Sequence, residues 1–206
     1  MLLSIVLFLA CGAEKPTNSA SGSTATQQPE NNAEIIDPIT TFFIGTANYT
    51  FPDHENWGTS TEDIAIRKTI DPATLSLTEE IHLLGFEGYR MTTIHCQISD
   101  TQFSGEWEDE SGILQIEGEF LAGAEWAWTK WTSTSTYSNT PPCDNDDFCI
   151  EDGDYFISMD NLQDNILVVD KNLYKLTTGN IYMKATETLM ITDEASFQSK
   201  VAEMQE

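Results

Sequence analysis

The sequence predicts an all-β domain, an antiparallel up-and-down meander closed into a barrel of about nine or ten strands and finished by one short C-terminal helix. Three observations predict it. Apolar and polar residues alternate with a period of two through one segment after another, the pattern of half-buried antiparallel strands. Short turn signals separate these segments, with no helix-length crossover between them, which excludes a parallel α/β sheet. Only the C-terminal end changes to a helical period. A meander of this length has to hide its edge strands, and closing into a barrel does so directly. A β-sandwich is the alternative.

The strands follow in order. Phe42 to Phe51 is aromatic and β-branched, and Asp63 to Ile70 places Ile64, Ile66 and Ile70 at even steps. Asp71-Pro72-Ala73 signals a turn. Thr74 to Leu83 sets Leu75, Leu77, Ile81 and Leu83 on one face, interrupted only by Glu79. Tyr89 to Ile98 follows, with Ile94, Cys96 and Ile98 on one face and Met91, Thr93 and His95 on the other. Ser99-Asp100 turns the chain into Thr101 to Trp107, a charged turn leads to Ile113 to Phe120, and Trp126 to Tyr137 reads as a long Thr/Ser/Trp strand. Tyr155 to Met159, Ile166 to Asp170 and Ile181 to Ile191 complete the meander. From Asp193 to Gln205, Phe197, Val201 and Met204 form one helical stripe. Thr192 or Asp193 can cap it, and Asp193 and Glu194 suit the positive end of the helix dipole.

Ahead of the strands, residues 12–38 are mostly Ala, Ser, Thr, Asn, Gln, Pro and Glu without an aromatic residue. Such a segment cannot bury enough apolar surface to offset its ordering entropy. It reads as a disordered tether with a reach of roughly 25–30 Å. The organisation is therefore residues 1–11 as a leader, 12–38 as a tether and 39–206 as one domain.

Charge excludes some partners. The 206 residues include 34 acidic and 9 basic ones, for a net charge of -25. Nucleic acid is a poor partner for such a chain, because phosphate binding needs clustered Lys and Arg. The acidity suits solubility, or a salty environment, as well as it suits cation binding.

The leader, MLLSIVLFLACGAEKP, resembles the signal and lipobox of bacterial lipoproteins: an apolar run from Leu2 to Ala10, a small residue, then Cys11. The resemblance implies that Cys11 is acylated, becomes the mature N-terminus and anchors the domain to the membrane through its acyl chains. Two positions depart from the pattern. No Lys or Arg precedes the apolar run, although a basic n-region is expected, and Phe8 stands where the family usually has Leu. An initiator placed too late would account for the missing charge and for the short run. The alternative is a buried N-terminal strand that ends in Cys. Gly12 stands where Asp would signal inner-membrane retention in enteric-type sorting, so the outer membrane is the expected destination.

The strand pattern also resembles, in architecture alone, the lipocalin and fatty-acid-binding-like (calycin) barrels. The Gly-x-Trp motif of lipocalins is missing, since Phe43-Ile44-Gly45-Thr46 has no Trp.

Candidate sites are few. Trp126 and Trp128 share a strand face and Trp131 points the other way. A face of this kind can stack sugars or line a pocket; alternatively, one Trp pair fills the interior and Trp131 covers an outer groove beneath the helix. His95 is a candidate pocket residue. Glu106 with Glu108 and Glu117 with Glu119 are paired carboxylates, but no spacing specifies the cleft that a glycosidase needs. The acidic loop contains Asp144, Asp146, Asp147, Asp152 and Asp154, which supply the oxygens that calcium prefers. Its spacing is not that of an EF-hand, and a solvated hairpin tip explains it equally. The histidines have no zinc spacing, and no catalytic motif or cofactor fingerprint is present. Export permits disulfides. Cys143 and Cys149 are spaced for a small disulfide ring, while Cys96, flanked by Ile94 and Ile98, reads as a buried free thiol.

The expected function is that of a monomeric, lipid-anchored, non-enzymatic envelope protein holding a small apolar ligand. The alternatives are a surface module that uses its acidic loop and Trp face and, less favoured, a carbohydrate-active enzyme. An interior cavity lined by Leu75, Leu77, Leu114 and Ile116 would mark a carrier, and a packed interior a surface module.

Overall fold

Ten strands are linked in chain order, each to the next by a turn or loop. They are β1 Ile39–Thr50, β2 Thr59–Asp71, β3 Ser76–Gly85, β4 Gly88–Ser99, β5 Gln102–Asp109, β6 Gly112–Phe120, β7 Lys130–Ser138, β8 Tyr155–Gln163, β9 Ile166–Tyr174 and β10 Ile181–Thr192. The computed structural model describes residues 37–52, 58–85, 88–109, 112–121, 130–140 and 149–206. Every neighbouring pair is antiparallel, and β1 pairs with both β2 and β10, so the sheet closes into a barrel without a free edge. The closing register sets Phe43 opposite Ile191 and Ala47 opposite Glu187.

Alternation decides which side chains face inward. Phe43, Ile66, Leu77, Ile98, Phe103, Phe120, Leu167 and Leu189 form a dry apolar floor toward the end where β2 turns into β3. Gly118 makes room there: a Cβ on it would stand 2.1 Å from the Phe103 ring, which lies across the glycine. The tight β8–β9 turn is made by Asp164 and Asn165, both at positive φ. This is the conformation that short polar side chains tolerate and that hairpin twist requires.

The terminal helix α1, Glu194–Met204, begins where expected. Asp193 is its N-cap and accepts from the Ser196 amide at 2.8 Å. Phe197, Val201 and Met204 are buried against Ala65, Phe42, Ile44, Leu84 and Tyr89 on the outer face of β1–β4. Trp131 is not the residue under this helix. It faces the barrel interior from β7 and is buried there. Leu75 corrects another expectation. It sits in the β2–β3 turn at φ 52, largely exposed, and does not line the interior.

Candidate functional site, the charged barrel lumen

The inward face also carries polar groups, interleaved with the apolar ones. β2 contributes Glu62 and Lys68, β3 Glu79, β4 Arg90 and Thr92, β8 Ser158 and Asp160, β9 Lys171 and β10 Glu187. These side chains follow directly from register. Lys68 lies on the same face as Ile64, Ile66 and Ile70, directly opposite Glu79 on β3, and the two pair at 3.2 Å. Lys68 also stands 4.0 Å above the Trp131 ring, a cation–π contact across the interior. Lys171 donates to Glu187 Oε1 at 2.5 Å. Arg90 reaches both oxygens of Glu62 at 3.0 Å. The Glu62 carboxylate lies over Gly85, where a Cβ would come within 2.1 Å of it.

These groups couple electrostatically. Burial pushes the Asp160 carboxyl up to about 6, against the attraction of Lys68 and Lys171 and a hydrogen bond from Ser158 at 2.7 Å. Burial raises the Tyr49 phenol, and the charges of Glu62 and Glu187 raise it further, with its hydroxyl donating to Glu62. Burial works against the Lys171 ammonium, yet Glu187 and Asp160 outweigh it and hold the group firmly protonated. Lys171 thus connects the Tyr49–Glu62 end of the network to the Asp160–Lys68 end.

Solvent reaches the inward face at the mouth. In a closed barrel, an inward side chain can be exposed only to the lumen or its mouth, and the side chain of Arg90, near the start of β4, is 44% exposed. Inward-facing Ile81, Leu83, Ile94, Ser133, Ser135 and Phe156 are half-buried. Ten strands enclose a wider space than the eight whose side chains just fill a barrel. The apolar cavity lined by Leu75, Leu77, Leu114 and Ile116 that would mark a carrier is not what these four residues form. Leu77, Leu114 and Ile116 are buried core residues, while the inward face as a whole mixes apolar and charged groups.

The other predicted residues separate into placed and unplaced ones. His95 faces outward from β4, exposed, with Nδ1 3.2 Å from the Thr78 hydroxyl, so it does not line the lumen. Glu106, Glu108, Glu117 and Glu119 also face outward and are exposed. With Gln97, Gln102, Thr132 and Thr134, the last two of these glutamates border an open polar depression of about 510 Å³ on the outer wall. Cys96 is a buried free thiol that burial pushes up to about 11, with the Glu79 charge adding to the effect. Cys11, Cys143, Trp126, Trp128, Asp144, Asp146 and Asp147 lie outside the described residues, and so does the whole leader and nearly all of the tether.

The described part of the acidic loop has a structural task. Asp154 is fully buried. Its oxygens accept from the amides of Glu151 and Leu176 at 2.9 and 3.0 Å and from Lys175 at 2.8 Å. Burial disfavours the Lys175 charge, but the hydrogen bond and charge of Asp154, with Glu151, raise its pKa overall. Asp152 accepts from the amide and hydroxyl of Thr140. Through these bonds Asp152 and Asp154 act as loop anchors; among the described residues, no group of His, Cys, Asp and Glu is arranged to hold a metal.

No family model, curated protein or solved structure matches this chain. Its function therefore has to be read from the lumen. Of the charges inside, the sequence pattern singles out only Glu79, as an interruption of an apolar face, and not Lys68, Lys171 or Glu187. The signal was nonetheless present: Lys68, Glu79, Lys171 and Glu187 all occupy core-face positions of otherwise apolar strands.

Proposed function

We propose that this chain is an exported, lipid-anchored envelope lipoprotein whose barrel is a non-enzymatic binding module that takes a small ligand into its lumen. The observation that carries this reading is a closed barrel whose inner wall is solvent-reachable at Arg90 and carries charged groups among its apolar ones. A space with apolar walls and a few convergent polar groups is the usual form of a small-molecule site. The mixed lining favours an amphiphile over a purely apolar ligand.

Anchoring rests on the apolar run ending in Ala10-Cys11 and on the polar tether after it. The outer membrane is the proposed destination. The outer wall of the barrel, with Glu106, Glu117, Glu119 and Asp170 facing out, is unlike the apolar band of a lipid-embedded barrel. Attachment through acyl chains suits it better. Within the same reading, Cys143 and Cys149 form a disulfide that closes the acidic loop, while Cys96 remains reduced. Cys11→Ser should move the protein from the membrane to the soluble fraction; a variant that still floats with membranes contradicts the anchor. Native mass spectrometry of the protein extracted from its source should show an acylated N-terminus and a bound small molecule. Extraction in the ligand-free form, with no small molecule bound after exposure to source extract, contradicts the carrier.

A further inference from the structure

From the lumen we infer that the ligand carries a protonated amine or a similar hydrogen-bond-donating cation, received by Glu187. The inference rests on the carrier reading above and names its ligand class. Each cation of the lumen already has a carboxylate partner: Lys68 has Glu79, Arg90 has Glu62 and Lys171 has Glu187. Asp160 is left over, hydrogen-bonded only by Ser158 within this network. The coupled groups therefore carry an excess of one negative charge when Asp160 is ionised.

The second observation is independent of charge. Glu187 is 3% exposed, and its Oε2 has no hydrogen-bond partner although Oε1 is held by Lys171. An unpartnered buried carboxylate oxygen carries a desolvation cost that a donor would remove. The Thr92 hydroxyl, facing the same interior from β4, is also unpartnered. An anionic ligand would add to the negative excess and could not donate to the open Glu187 oxygen. A neutral alcohol could donate to Glu187 but would leave the excess charge in place. A cationic donor meets both requirements, and its hydrocarbon part can lie along Ile81, Leu83 and Ile94.

The test uses three probes of one chain length: hexylamine, hexan-1-ol and hexanoate. Each is titrated by calorimetry at pH 7.5 into the full chain carrying Cys11→Ser, which keeps acylation out of the measurement. The amine is expected to bind at least tenfold more tightly than the alcohol, with hexanoate weakest. Glu187→Gln should abolish the advantage of the amine over the alcohol. The wild-type ranking decides the matter alone if that variant does not fold. Equal or tighter binding of hexanol or hexanoate overturns the amine assignment and leaves the carrier standing. Binding of none of the three overturns both.

Discussion

Two polar networks lie on opposite sides of the same strands, and they differ in completeness. On the outer face beneath α1, Gln205 donates to the Tyr89 hydroxyl at 2.9 Å and Tyr89 meets His82 Nδ1 at 2.6 Å. His82 Nε2 reaches Glu80 at 2.7 Å, and Arg67 donates to the other Glu80 oxygen. Since a carboxylate can only accept, Nε2 carries a proton toward Glu80. Each of these side chains has a partner in that chain. Lys200 of the helix adds Asp63 at 2.8 Å, and this hydrogen bond raises the Lys200 pKa. The inner network is likewise built on carboxylates paired with Lys and Arg but leaves Glu187 Oε2 and the Thr92 hydroxyl unpartnered. A satisfied network fixes an element in place. An incomplete one, whose open acceptor is cut off from water, leaves a position for a donor from a ligand.

The largest expected effect comes from breaking one inner pair. Lys68→Met should cost about 4 kcal/mol, because it leaves Glu79 charged beside the core. Adding Glu79→Leu should restore most of that loss, since an apolar pair of similar volume often matches a buried ion pair. Urea unfolding of the two variants measures both. A double variant no better than the single one would show that Lys68 acts through Trp131 instead.

A pH effect of nearly the same size isolates Asp160. Its folded-state value, about 6, lies above the ordinary 3.8, so the folded protein holds that proton more tightly than the unfolded chain. The stabilisation from this group is complete below pH about 4 and is lost as pH rises through 6. The loss amounts to about 3 kcal/mol. Asp160→Asn removes the titration. The variant should match the wild type near pH 4 and exceed its stability by that amount at pH 7. Parallel stability curves for the two proteins would contradict the burial of this charge.

Smaller effects belong to the outer side. Tyr89→Phe removes the middle of the chain that ties α1 down and should cost about 1 kcal/mol, measured by thermal unfolding. Cys96 should not react with iodoacetamide at pH 8 in the folded protein, because the thiol is buried and raised to about 11. It should label at once in urea.

The contrast between the two sides also explains what was legible in the sequence. Strands with one buried face announce themselves by alternation, and the helix stripe of Phe197, Val201 and Met204 was readable because its period and cap agree. Closure was also legible, from the need to hide the edges of so long a meander, but the register of the closing β1–β10 pair was not, since no local pattern encodes the pairing of Phe43 with Ile191. The end of the Trp-rich segment gave the wrong side for Trp131, because alternation fixes which residues share a face and not which face is inside. The inner charges share that ambiguity. Lys68 has no visible partner until the register sets Glu79 opposite it.

The most direct test of the contrast compares one inner and one outer variant with a single ligand. Hexylamine is titrated into the wild type, Glu187→Gln and Tyr89→Phe, each in the Cys11→Ser background. The expected result is at least a tenfold loss of affinity for Glu187→Gln and an unchanged affinity for Tyr89→Phe, despite its lower stability. Equal affinity in all three, or equal losses in both variants, would contradict the claim that the incomplete inner network is the binding site.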